Sequence, residues 1–254
     1  MGGGHAHKLY QRAHSPVHAL PAQCKLAAVF CFVLVVVATP REAVWAFGAY
    51  GVLLAAVAAA SRVRARHLLT RMVIEVPFVA FAVLLPFVAE GERITVLGVP
   101  LSEPGLWGAW NVLAKGTLGV AASVLLASTT RLDQLLLGLA RLRLPPLLCQ
   151  IATFMVRYAD VISDEMRRMR TARLSRGFEA RGPRHWGVLA KSAGSLFIRS
   201  YERGERVHLA MLSRGYTGTM PSALGAGAAA PPEWARAALL PLTALAICLL
   251  GWTL

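Results

Sequence analysis

Residues 26–38, LAAVFCFVLVVVA, decide what kind of fold this chain can have. They hold no charge and almost nothing that needs water. A membrane span takes about 20 apolar residues at 1.5 Å rise each, so this run is short and flanking residues such as Ala22 must extend it. The first span therefore reads Lys25 to Ala38, closed by Thr39-Pro40. A second apolar run, Ala43 to Ala60, follows after only Pro40-Arg41-Glu42, which predicts a tight antiparallel hairpin. That run is rich in Ala and Gly, the residues that let membrane helices approach closely.

Composition agrees. The chain has 254 residues, 56% hydrophobic and 16% charged, with a mean hydropathy of +0.53. It is too apolar and too poor in acids for an ordinary soluble domain, so the expected class is an all-α polytopic membrane protein. The formal net charge of +14 raises the question of nucleic acid, which would need a basic face with interleaved aromatics on a soluble fold. Here the arginines flank apolar runs, where orientation signals belong, and nucleic acid is not an expected partner. The four cysteines, Cys24, Cys31, Cys149 and Cys248, lie far apart without CxxC spacing and read as small apolar fillers. No small-residue cleavage site follows the first apolar run, so it is expected to persist as a span.

Residues 1–24 read as an irregular cytoplasmic segment on the membrane surface. His5, His7, His14 and His18 invite a metal site, since imidazole is the commonest metal ligand. No Cys or carboxylate accompanies them at a fixed spacing, and neither metal nor cofactor is assigned. Arg62, Arg64, Arg66 and Arg71 crowd the segment after the second run and mark it cytoplasmic. The third span, Met72 to Ala89, carries Glu75, Pro77 and Pro86; the prolines predict a kink, and Glu75 is expected to pair with the nearby arginines. The loop Glu90 to Pro104 lacks a positive excess and crosses outside. In the fourth span, Trp107 to Thr129, Trp107 and Trp110 mark the interface and Lys115 is expected to snorkel to the outer surface.

Four spans within residues 25–130 place residues 131–220 in the cytoplasm, which agrees with their arginine load. A Gly/Ala/Pro-rich linker, 221–233, leads to a last span, 234–254. That makes five spans. A sixth would need Leu144 to Tyr158 to cross, but Pro145-Pro146 and Arg157 favour an amphipathic surface helix.

Two cytoplasmic helices are expected to finish alike. Asp160 to Leu174 has helical spacing, with Asp164 four residues before Arg168 for local pairing, and stops at Ser175-Arg176-Gly177. Tyr201 to Ser213 places Val207, Ala210, Met211 and Arg214 on one stripe, and the chain there reads Ser213-Arg214-Gly215. One arginine near a helix C-terminus needs no partner: the macrodipole favours it by about 0.3–1 kcal/mol, and Gly after the cap is routine. Two copies in one insertion imply a use. Arginine's planar fork binds carboxylates bidentately and tolerates partial burial better than lysine, so two such ends can dock into two copies of a dimeric partner and pass its movement into the spans.

The arrangement resembles the transmembrane T component of energy-coupling factor transporters, the EcfT/CbiQ family, most closely its cobalt-type CbiQ branch. That family is marked by paired Ala-Arg-Gly motifs at the ends of two cytoplasmic coupling helices, and here Ser replaces the leading Ala in both. TARLSRGF, HLAMLSRGYTG, HSPVHALPAQCKL and TTRLDQLLLGLARLRLP are similar to the family's stretches. A literal Ala180-Arg181-Gly182 lies nearby; Arg176 is preferred because it ends the helical pattern and precedes Phe178, as Arg214 precedes Tyr216. The resemblance implies a non-catalytic plasma-membrane subunit that links two CbiO-like ABC ATPase subunits to an S component. In this branch the S component is CbiM-like, with a CbiN-like small subunit, and the cargo is Co²⁺. The N-terminus and the coupling region are cytoplasmic, and the spans contact membrane lipid.

The residues themselves exclude ATPase chemistry in this chain. Lys115-Gly116-Thr117 lacks the preceding glycine of a phosphate cradle, and neither H-E-x-x-H nor G-x-S-x-G occurs. Nickel or a vitamin as cargo would look the same from here. A conventional permease would need a polar intramembrane pathway, and the spans offer little beyond Glu75 and Lys115. A non-transport scaffold binding a cytoplasmic partner explains the basic platform but predicts no ATPase dependence on Arg176 and Arg214.

Overall fold

The computed structural model describes residues 10–11, 15–63, 65–96, 99–178, 182, 185–218 and 229–253. Its elements are α1 (Pro16–Ala19), α2 (Ala22–Ala38), α3 (Val44–Ala60), α4 (Ala65–Arg71), α5 (Val76–Val88), β1 (Arg93–Val96), β2 (Val99–Ser102), α6 (Glu103–Thr129), α7 (Leu132–Arg141), α8 (Pro146–Ser175), α9 (Trp186–Leu212) and α10 (Pro231–Thr253). They divide into two compact units, one built from Leu9–Leu142 with Ala228–Leu254, the other containing Arg143–Gly227.

The first unit is an apolar helical bundle. Leu68–Val88, Glu103–Thr129 and Pro231–Thr253 are long and apolar enough to cross a membrane, and Ala22–Ala38 and Val44–Ala60 are shorter apolar helices. This is an all-α polytopic membrane protein. Three local features differ from the sequence expectation. Part of the arginine-rich segment is helical, as α4, and meets α5 through a 3₁₀ turn at Met72–Glu75. The loop before α6 forms a two-stranded antiparallel hairpin, Arg93 opposite Ser102 and Val96 opposite Val99. The helix α6 begins at Glu103, ahead of Trp107, because Ser102 accepts the Gly105 amide at 3.4 Å and Pro104 suits the first turn.

Packing follows side-chain size. Phe32 and Val36 of α2, Ala46, Phe47 and Tyr50 of α3, Ala122 of α6 and Ala244 of α10 form one buried cluster. The alanines let backbones close on the aromatic rings, the close approach that membrane helices exploit when no water drives them together. Tyr50 has its hydroxyl satisfied there, 2.9 Å from Thr39 Oγ1 and donating to the Ala244 carbonyl at 3.3 Å.

Two lysines join α2 and α6 reciprocally. Lys25, in the first turns of α2 and only 6% exposed, donates to the Thr129 carbonyl at the end of α6 at 3.1 Å. Lys115 of α6 donates to the Val37 carbonyl at the end of α2 at 2.8 Å. Each cation thus meets carbonyls that have no intrahelical partner and the negative pole of the other helix. Glu75, which the sequence paired with nearby arginines, lays its carboxylate against α6: it is 5% exposed and accepts from Thr117 Oγ1 at 2.6 Å.

The second unit is a long hairpin. Where the sequence suggested a surface helix over 144–158 and another over 160–174, there is one continuous helix, α8, of 30 residues. The expected helix over Tyr201–Ser213 is the last part of α9, which has 27 residues. Bridges from α8 to α9 and the turn that follows it run Gln150 to Tyr216, Glu165 to Arg199 and Arg173 to Ser192. One number rises as the other falls, so the helices are antiparallel.

Candidate functional site

The C-termini of α8 and α9 are built alike, atom for atom. At the first, the Phe178 amide donates to the Arg173 carbonyl at 3.1 Å and the Gly177 amide to the Leu174 carbonyl at 3.0 Å. At the second, the Tyr216 amide donates to Met211 and the Gly215 amide to Leu212, both at 3.0 Å. This pair of bonds is the Schellman termination, which needs a left-handed residue after the cap. Gly177 and Gly215 supply it with φ of 74° and 81°. Arg176 is the cap residue of α8 and Arg214 follows Ser213, the cap residue of α9; each directly precedes its glycine and is exposed to solvent, and among the described residues neither joins an ion pair.

The serines are bound the same way. Ser175 Oγ donates to the Ala172 carbonyl and Ser213 Oγ to the Ala210 carbonyl, each at 3.1 Å. Each hydroxyl's proton is spent on its own helix, so the side-chain donors that the motif presents outward are those of arginine. Each end also stacks an aromatic residue edge-on against a histidine, Phe178 on His185 at 5.3 Å and Tyr216 on His208 at 6.4 Å.

Because the helices are antiparallel, the two ends do not converge. Gln150, near the start of α8, donates to the Tyr216 hydroxyl, so the second motif lies beside the N-terminal end of α8 while the first caps its C-terminal end. Along α8 that is roughly 40 Å at about 1.5 Å per residue. The two motifs form a pair of separated contacts rather than one pocket.

Charge holds the hairpin between them. Arg199 donates to Glu165 Oε1 at 2.6 Å and Arg168 to Glu165 Oε2 at 3.3 Å. The Arg199 hydrogen bond, aided by the charges of Arg168, Arg199 and Arg203, holds the Glu165 carboxyl below the ordinary carboxylate range. Asp164 pairs with Arg167, not with Arg168 four residues on, so both local pairs on α8 have the i,i+3 spacing. Between the helices is an apolar cavity of about 230 Å³, lined by Phe154, Tyr158, Val161, Leu196, Val207 and Met211 among others.

Of the other singled-out residues, His5, His7 and His14 lie outside the described residues, as do Ala180 and Arg181. His18 lies 3.1 Å from the Gln11 carbonyl through Nε2 and 2.8 Å from Ser15 Oγ through Nδ1. Among the described residues no three His, Cys, Asp or Glu side chains are grouped to hold a metal. Sequence reasoning missed Gln150, whose partner is remote in the chain, and the two histidines beside the caps. The aromatic after each glycine was the available signal.

Apolar helices long enough to cross a membrane, together with a long charged hairpin that ends twice in the same arginine cap, define a membrane component. Residues 13–223 match the family model CbiQ, described as cobalt transport protein. The chain belongs to this family of transporter membrane components. It is 31% identical over 227 residues to the energy-coupling factor transporter transmembrane protein EcfT of Thermanaerovibrio acidaminovorans, covering 82% of each chain. It is 26% identical to a putative fused cobalt transport protein CbiMQ of Methanocorpusculum labreanum, over 92% of this chain and 39% of that protein. An uncharacterized protein of Methanocaldococcus jannaschii is 30% identical over 51% of this chain and 49% of its own length. The chain thus spans about half the length of the first curated relatives it matches.

Proposed function

We propose that this chain is the T component of an energy-coupling factor importer in the plasma membrane, with its N-terminus and the α8–α9 hairpin in the cytoplasm. The hairpin takes up movement from two CbiO-like ABC ATPase subunits, which hydrolyse ATP. The spans pass that movement to a CbiM-like S component, with a CbiN-like small subunit, that captures the cargo. The carrying observation is the congruence of the two caps: the same backbone bonds, the same back-bonded serine and the same exposed arginine, set far apart as docking to two copies of one partner requires. Cobalt as cargo is favoured by the family's description and by the relative in which CbiM and CbiQ are fused.

The test is co-purification of the tagged chain with the ATPase encoded beside it. The wild type is expected to retain the ATPase and the double variant Arg176→Glu, Arg214→Glu to lose it while eluting unchanged. Since a glutamate at a helix C-terminus also opposes the macrodipole, Arg176→Gln with Arg214→Gln serves as a second variant and should lose most of the partner too. Equal retention by all three would reduce the arginines to caps. Uptake of radioactive cobalt by cells expressing the whole assembly, competed with nickel, tests the cargo.

A further inference from the structure

The bundle contains a second cavity, of about 280 Å³, at the end where α2 and α10 begin and α6 finishes. Its body is apolar: Ala28 and Val29 of α2, Leu54 and Val57 of α3, Leu125 of α6 and Leu240 of α10 belong to its lining. Two cations, Lys25 and Arg236, line it as well. Lys25 is 6% exposed and spends one proton on the Thr129 carbonyl; its ammonium has three donors. Arg236 is exposed and enters no ion pair among the described residues. Glu233, the acid in the first turn of α10, accepts the Ala230 amide at 2.7 Å. Leu239, 62% exposed, and Thr243 also line the cavity, so it opens on the outer face of the bundle.

From this geometry we infer that the cavity is a site for one anionic phospholipid, an acyl chain lying among α2, α3, α6 and α10 and the phosphate between Lys25 and Arg236. An apolar slot open to the bilayer is filled by hydrocarbon, because an empty one forfeits the contacts of its lining. Basic pockets between membrane helices at the cytoplasmic surface take anionic headgroups. The charge at one end and the apolar body match an amphiphile in both parts, as a free anion would not. The inference rests on the bundle being embedded in a membrane and is independent of the arginine caps on the hairpin.

Native mass spectrometry of the full chain, purified in mild detergent and supplied with phosphatidylglycerol or phosphatidylcholine of equal chain length, tests it. The wild type is expected to keep one phosphatidylglycerol at least tenfold more strongly than phosphatidylcholine. Arg236→Gln should remove that preference, and Thr243→Trp, seven residues along α10 from Arg236, which fills the apolar end and leaves both cations, should lower retention of either lipid several-fold. Should one variant fail to fold, judged by its elution, the other still decides. Equal retention of the two lipids by the wild type would overturn the site, as would unchanged binding in both variants. Inorganic phosphate displacing the lipid completely at millimolar concentration would show an anion site without an acyl slot and would overturn it too.

Discussion

At the residue scale, Ser175 and Ser213 explain why the family's leading alanine can be serine here. Each hydroxyl donates its proton back to a carbonyl three residues earlier, so it offers a partner no donor. Ser175→Ala with Ser213→Ala is therefore expected to leave ATPase retention unchanged in the co-purification. The glycines differ. No atom lies within 4 Å of a Cβ added at Gly177 or Gly215, and only their φ resists substitution. Gly177→Ala should lower stability by about 1 kcal/mol, read as a shift in thermal unfolding of the detergent-solubilised protein, and Gly177→Asn by less. Glu165 gives a pH dependence with a definite sign. Its carboxyl is held below the ordinary range in the folded hairpin, so its contribution is present above the unfolded value of about 4.3. It is lost as pH falls through the lower folded value. Helicity of Glu165→Gln should respond less to acid than that of the wild type between about pH 5 and 3. The arginine and glycine of each cap were legible in the sequence because their types fit one geometry. The serine's partner and the Gln150–Tyr216 bond were not, since both depend on where a side chain turns.

At the element scale, α8 shows how a helix is misread as two. Residues 146–158 carry a single charge, Arg157, and residues 160–174 carry seven. What changes near Asp160 is the composition of the helix and not its backbone, which runs unbroken from Pro146 to Ser175. The β1–β2 hairpin was passed over because its strands have only four residues each and include Pro100. Small-residue contacts gave no signal of their own but govern packing. A methyl group at Gly105 would come within 2.8 Å of the Leu85 carbonyl and the Pro86 Cα. Both are backbone atoms, so α5 and α6 must part, and Gly105→Ala is expected to cost about 1–3 kcal/mol. A thermal denaturation midpoint equal to wild type would contradict that packing.

For the whole molecule, hydropathy and arginine placement reveal which runs form the apolar helices and which stretch is the charged insertion, because a membrane sorts residues by polarity. They do not reveal which helices touch. The pairing of α2 with α6 and the seat of Tyr50 against Ala244 depend on side-chain shape across remote parts of the chain. The separation of the caps belongs to this scale too. Spin labels at 176 and 214 are expected to report a distance distribution centred at roughly 40 Å, the length of α8 between the two ends. A distance below about 25 Å would mean folded-back ends, incompatible with α8 as one straight rod.

The reciprocal lysines have a mechanical consequence. The two bonds tie α2 at both of its ends to α6, once at the end of α6 and once at its middle, so α2 cannot slide along α6 without breaking one of them. The next place along the chain where a helix has fewer regular bonds to resist bending is the 3₁₀ step at Met72–Glu75, which interrupts the α-helical ladder ahead of α5.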